Sequence, residues 1–244
     1  MSSKNTALAG QETLLACWSA LARMSPGATL IRSAATAAAV FPAWAPLNNA
    51  IMLSACDGAG AAAVSQLTSV YADAGVGAWA LWMPSRATDL DTPDEMRVVG
   101  ALKRDTTTLV MHATTLRGLW LHEGVVRTSI AAATRATEEP VPAVDLGEPE
   151  RAPGLTAWVM VQHDVAVAGA WSFRHGRDCG IYTVGTSPGW RRRGLARSLV
   201  AHVLADAARR GARTATLQST RVAQHLYESL GFEPAGRYEE WLSQ

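Results

Sequence analysis

The stretch of this chain best equipped for chemistry is residues 184–196, VGTSPGWRRRGLA, where a strand pattern runs through a Pro-Gly turn into a helical pattern. Gly194 and Ala196 are small, so the backbone there can approach a ligand closely. The N–H groups freed at a helix start point outward, which suits a phosphate or pyrophosphate. No Gly-Lys-Ser/Thr follows and no Gly-x-Gly-x-x-Gly is present, so this is neither a Walker loop nor a dinucleotide fingerprint. Arg191, Arg192 and Arg193 either bring positive charge to such a ligand or form a solvated loop. Other candidates are weaker. His163 and His175 lie near strand ends and read as a base or as turn and surface residues. Asp89, Asp91, Asp94 and Glu95 could attract a cationic amine, or cap a helix. The six histidines and three scattered cysteines (Cys17, Cys56, Cys179) show no metal-ligand spacing, so no metal site is expected.

The elements that must position this loop follow from apolar periodicity. Residues 156–162 and 165–173 read as a hairpin turning at His163-Asp164, and residues 179–186 as a third strand with Gly185 marking a bulge. A helix from about 194 to 210, a strand at 214–218, a helix at 221–230 capped by Gly231 and a strand at 237–242 complete this half. Before it, residues 138–153 hold four prolines and read as a loop or linker. The first half predicts a helix over 11–24, strands at 29–32, 49–55, 77–83 (closed by Pro84) and 106–111, and a helix running through Val64, Leu67, Val70 and Tyr71 to Gly75. A further helix should start at Thr92-Pro93. Residues 70–74 (VYADA) match 203–207 (VLADA) at the same place in the element order, which suggests a duplicated fold.

Residues 156–242 resemble the catalytic half of a Gcn5-related N-acetyltransferase (GNAT). The resemblance rests on Arg191-Arg192-Arg193-Gly194-Leu195-Ala196 after the fourth strand, and on residues 220–232, TRVAQHLYESLGF. It implies a mixed α/β acyl-CoA N-acyltransferase fold with a V-shaped opening between the fourth and fifth strands. Residues 1–115 then form a degenerate copy that shapes the acceptor pocket, and residues 116–244 the catalytic domain. Acetyl-CoA is the implied acyl donor. Its pantetheine arm would pair with the backbone of Val184, Gly185 and Thr186, and its pyrophosphate would sit on the amides of Arg191 to Ala196, Leu195 included. Thr220 stands where the family often has an Asn contacting the pantetheine. Tyr227 would be the general acid for the leaving thiolate, with packing in a helix core as the alternative. A backbone amide near Val184 would serve the oxyanion, and no general base is identifiable. Asp57-Gly58-Ala59-Gly60-Ala61, at the matching loop of the first half, lacks the Arg, and Val98-Val99-Gly100 stands where the tyrosine would be.

Composition sets the remaining bounds. At 244 residues and 48% hydrophobic, the chain can bury a core without disulfides or a structural metal. Twenty-two basic against 21 acidic residues leave a net charge of +1, so neither nucleic acid nor an anionic membrane is an expected partner. No signal peptide and no membrane-spanning run is read, so a cytoplasmic enzyme acetylating a small-molecule or amino-acid amine is expected, with a homodimer left open. A non-catalytic acyl-CoA-binding or sensing module is the rival reading.

Overall fold

A computed structural model describes residues 8–53, 60–88, 90 and 102–243. The chain divides into two compact units. The first is Met1–Val110 with Ser219–Val222 and Pro234–Gln244; the second is Met111–Gln218 with Ala223–Glu233. The division places the boundary after Val110 rather than at residue 115 and assigns those two short C-terminal segments to the first unit.

In the first unit, α1 (Gln11–Met24) buries Leu14, Leu15, Trp18 and Leu21, the stripe its periodicity specifies. Strands β1 (Thr29–Arg32), β2 (Thr36–Val40) and β3 (Asn49–Met52) pair antiparallel in sequence order. Helix α2 (Gly60–Asp73) then leads to β4 (Ala80–Ser85), which runs parallel to β3. Tyr71 of α2 is fully buried. Its ring stacks on Trp79 at 4.7 Å, and its hydroxyl donates to the Ala39 carbonyl at 3.1 Å. Pro84 lies inside β4 rather than closing the strand. It is tolerated because the β3 ladder has already ended at Ile51↔Trp82, so no partner on that side needs the N–H that proline lacks. The other neighbour of β4 is β12 (Glu233–Leu242), antiparallel from Arg237↔Ser85 to Leu242↔Ala80. Beyond β12 lies β5 (Lys103–Ala113), whose residues 103–110 belong to this unit. The expected loop at residues 57–59, the helix start at Thr92, the 98–100 segment and the acids Asp89, Asp91, Asp94 and Glu95 lie outside the described residues.

The second unit contains β6 (Val125–Thr128), α3 (Ile130–Arg135), β7 (Val141–Pro142), β8 (Leu155–Gln162), β9 (Val165–His175), β10 (Asp178–Thr186), α4 (Leu195–Arg209), β11 (Thr214–Ser219, entering the first unit at its last residue) and α5 (Gln224–Glu228). Its strand order is β11-β10-β9-β8-β6, with β7 against β9. Only β10 and β11 run parallel among the pairings recorded in this unit. His163 (φ 49°) and Asp164 (φ 61°) make the two-residue left-handed turn that matches the twist of a tight hairpin. The antiparallel run β8-β9-β10 followed by the parallel β10-α4-β11 repeats β1-β2-β3 followed by β3-α2-β4. The VYADA and VLADA strings fall at the ends of the corresponding helices. The fold is thus a tandem.

The Pro-rich stretch 138–153 is mostly irregular, but it carries β7 and a carboxylate with a defined task. Both Glu150 oxygens accept the Ile130 N–H, at 2.8 and 2.9 Å, while Ser129 Oγ accepts the Ala132 N–H. Together they satisfy two of the free donors at the start of α3.

His202, buried in α4, ties the irregular segment before β6 to the helix. Its Nδ1 lies 3.0 Å from the His122 backbone nitrogen and 3.1 Å from the His122 carbonyl oxygen. Burial holds the imidazole below its ordinary pKa. The folded unit therefore binds fewer protons here than the unfolded chain, so stability is full above about pH 6.5 and falls as the pH drops below it. Denaturant midpoints measured at pH 7.5 and 5.5 should decrease toward acid, and His202→Gln should flatten part of that decrease. An unchanged pH dependence in the variant would assign the effect to other groups.

Candidate active site

The site is built on a strand that loses its partner on one side. β10 pairs with β11 from Asp178↔Thr214 to Ile181↔Leu217, and no further pair is recorded. On the other side the register with β9 shifts between Tyr182 and Gly185, with Thr183 at φ 53°, and resumes at Gly185↔Gly169 and Thr186↔Ala168. The bulge falls where Gly185 marked it. Past Ile181 the parallel strands have parted, so the backbone edge of Val184, Gly185 and Thr186 facing β11 has no ladder partner among the described residues. Close packing of α3 and the turn after it demands glycine at two places here. A Cβ at Gly185 would stand 2.5 Å from Thr137 Cβ, and one at Gly169 would run into the Ala133 carbonyl.

The loop that follows is anchored at its root. Ser187 is fully buried, its N–H donating to Val167 O at 2.9 Å and its hydroxyl to Ala136 O at 3.0 Å. A single 3₁₀ turn (Pro188–Trp190) leads to the three arginines, all exposed. Arg191 Nε donates back to Thr186 O at 2.9 Å. Arg193 donates to Gly189 O at 3.2 Å and lies over the Trp190 ring at 5.0 Å. Arg192 adopts φ 64° and Gly194, the N-cap of α4, φ 75°. A Cβ on Gly194 would meet nothing within 4 Å, so the space over the helix start is open and the glycine is required by its φ alone. The first carbonyl to accept a helical bond is that of Gly194, from Ser198 N–H at 3.0 Å. The N–H groups of Leu195, Ala196 and Arg197 come earlier and have no helical carbonyl to reach. Three amides and the positive helix end thus face open space, joined by three guanidinium groups.

Tyr227 belongs to the same unit, on α5. Its ring is 5% exposed and meets Phe232 edge-on at 5.9 Å, yet its hydroxyl has no hydrogen-bond partner among the described residues and is not sealed from solvent. Burial pushes the phenol up to about 12, so it stays protonated at neutral pH. Arg197 Nε donates to Ser229 Oγ at 3.1 Å, tying the first turn of α4 to the end of α5. That contact was not legible in the sequence, where the motif ends at Ala196. Thr220 is exposed and groups with the first unit; its carbonyl accepts the Ser219 hydroxyl at 2.9 Å. His175 pairs with Asp178, six residues along β9 from Gly169, so roughly 20 Å separates it from the bulge. His163 lies nearer, its ring 6.4 Å from Trp190. Among the described residues no group of three His, Cys, Asp or Glu could hold a metal ion.

An unpaired strand edge followed by a helix start with free amides fits an extended amide-bearing chain ending in a pyrophosphate, the chemistry of an acyl-coenzyme A. Residues 126–232 match the family model of the acetyltransferase (GNAT) family, and this part of the chain is a GNAT domain, an acyltransferase by class. Proteins of that family use acyl-coenzyme A donors. None of the curated proteins compared matches the sequence. Among solved structures, the fold is similar to a GCN5-related N-acetyltransferase from Kribbella flavida (16% identity, 96% of this chain and 95% of that one, TM-score 0.65). It is also similar to a putative GNAT-family acetyltransferase from Novosphingobium aromaticivorans (22% identity, 87% and 89%, TM-score 0.58). A tandem GNAT protein from the clavulanic acid biosynthesis pathway aligns over 90% of this chain and 84% of its own, at 14% identity and TM-score 0.53. No helix among the described residues is long and apolar enough to cross a membrane.

Proposed function

We propose that the protein is an acetyl-CoA-dependent N-acetyltransferase that moves the acetyl group to a primary amine of a small molecule or amino acid by direct attack. The observation that carries this reading is the parting of β10 from β11 immediately before a helix start with unpaired amides. The coenzyme supplies the acyl group as an activated thioester. The Leu195, Ala196 and Arg197 amides, with the arginine loop, bind its pyrophosphate, and the open edge of Val184, Gly185 and Thr186 orients its amide arm. A backbone N–H near Val184 donates to the carbonyl oxygen as negative charge develops there. The Tyr227 hydroxyl, held protonated, gives its proton to the departing thiolate and is restored by the proton that the amine nitrogen sheds as the amide bond forms. Holding the amine and the thioester together supplies much of the rate.

Release of free thiol from acetyl-CoA across a panel of amines, amino acids and amino-bearing antibiotics, beside calorimetric titration of acetyl-CoA, tests the proposal. Turnover with at least one amine and one coenzyme per chain are expected. Binding with no turnover on any acceptor would favour a sensing module, and two sites per chain would contradict the reading of the first unit as a scaffold. Gly194→Val should weaken acetyl-CoA binding at least tenfold. It sets a branched Cβ in the open space over the amides and forces a left-handed φ worth about 1–2 kcal/mol of strain. Circular dichroism separates that loss from unfolding, and unchanged affinity would mean the loop is not the pyrophosphate site.

A further inference from the structure

Beside the coenzyme loop stands an aromatic residue that the reading above leaves unused. Trp120, in the irregular segment before β6, is 40% exposed, and its neighbour Leu121 is 42% exposed. The segment is fixed rather than free, because the contact of His122 with His202 Nδ1 pins it to α4. Over the Trp120 ring, 5.1 Å from its centre, lies the guanidinium of Arg197. Arg197 belongs to the first turn of α4, the turn whose amides face the pyrophosphate position. Its Nε is spent on Ser229, while its two terminal nitrogens have no partner among the described residues. Those nitrogens form a planar fork suited to bidentate binding of a phosphate. The contrast with the neighbouring pair is instructive. Arg193 over Trp190 spends a terminal nitrogen on Gly189 O, whereas the terminal nitrogens of Arg197 over Trp120 have no partner among the described residues.

A part-exposed indole with a guanidinium over its ring whose terminal nitrogens are free among the described residues, within one helical turn of a pyrophosphate site, is complementary to a ligand end that is flat, aromatic and anionic. Coenzyme A has such an end beyond its pyrophosphate: an adenine on a ribose 3′-phosphate. Resting on the assignment of the α4 loop to the coenzyme, we propose that Trp120 and Arg197 form its adenosine 3′-phosphate subsite. The exposed part of the indole stacks the base, and the Arg197 fork pairs with the 3′-phosphate, so Arg197 makes the enzyme discriminate coenzyme A from its 3′-dephospho form.

Calorimetric titration of coenzyme A and 3′-dephospho-coenzyme A into the full chain and its variants tests this without reference to turnover. The parent should bind coenzyme A at least tenfold more tightly than the dephospho form. Arg197→Gln should abolish most of that ratio by weakening coenzyme A alone. Trp120→Ala should weaken both ligands about tenfold and preserve the ratio, and Trp120→Phe should restore most of the binding. Ser229→Ala, which removes the tether but keeps the guanidinium, should retain discrimination. A melting curve for each variant guards against loss of fold. Equal binding of the two ligands by the parent, or an unchanged ratio in Arg197→Gln, would overturn the subsite while leaving the coenzyme site standing. A parent that binds neither ligand would instead overturn the assignment of the loop, and the subsite with it.

Discussion

Replacing Tyr227 by phenylalanine should lower kcat by about a hundredfold while leaving KM for acetyl-CoA within a few-fold. Only the hydroxyl is removed, and that hydroxyl holds nothing in place: no described residue bonds to it, and the ring keeps its edge contact with Phe232. Loss of a general acid costs about 10²–10⁴ in rate, and a thiolate is a fair leaving group, so the low end of that range is expected. Burial holds the phenol at about 12, so it remains a donor over the whole working range. The ratio of parent to variant turnover should therefore stay constant between about pH 6 and 10. Turnover within about threefold of the parent would make Tyr227 a packing residue and leave the proton of the thiolate unassigned.

The second large effect concerns the C-terminal strand. Deleting residues 233–244 should leave a protein that neither remains monodisperse nor melts cooperatively, and the damage should lie in the first unit. Arg237 and Tyr238 of β12 are fully buried, Glu239 is 1% exposed and Trp241 5%. Glu239 accepts from both Arg237 and Arg104, at 3.2 and 3.0 Å, so removing the strand also strips Arg104 of its carboxylate partner. Each large apolar side chain lost from a core costs roughly 1.5–3 kcal/mol, against a total stability of about 5–15 kcal/mol for a domain. The bared edge of β4 would offer unpaired backbone to other chains. The reciprocal fragment, residues 116–244, should fail in the same way because it carries β12 without β4. Size-exclusion chromatography with near-ultraviolet circular dichroism reads both. A monodisperse, cooperatively melting product from either would show that the β4–β12 pairing is dispensable.

What could be read from the sequence, and what could not, follows from where the stabilising partners lie. α1, the β8–β9 hairpin, the bulge of β10 and the start of α4 are set by neighbours in sequence: an i, i+4, i+7 stripe, a two-residue turn, and glycines at Gly185 and Gly194. β2 left no trace. Thr36–Val40 is buried on both faces, so alternation vanishes, and three alanines carry little strand preference. α3 is six residues long and is started by Ser129 together with Glu150, a carboxylate 20 positions away. Pro84 hides the true span of β4, because a proline is harmless only where the adjacent ladder has stopped, a fact about β3. In the site, the strand edge and loop glycines were visible as a motif. The meeting of Trp120 with Arg197 depends on how a 77-residue separation folds back, and no local signal carries it.

The placement of β12 also dictates an order of events during synthesis. Every residue of the second unit leaves the ribosome before residues 234–242, the part of β12 that completes the first unit. The bond from Trp79 N–H to Ser243 Oγ closes a loop of 164 residues. The entropic cost of closing a flexible loop that long grows with the logarithm of its length, and prior folding of the intervening chain shortens the effective span. The later-translated half is thus the one able to fold first. The N-terminal half must wait with the β4 edge uncovered, a window in which a chaperone or a slow stretch of codons near the C-terminal strand would govern yield more than the final stability does.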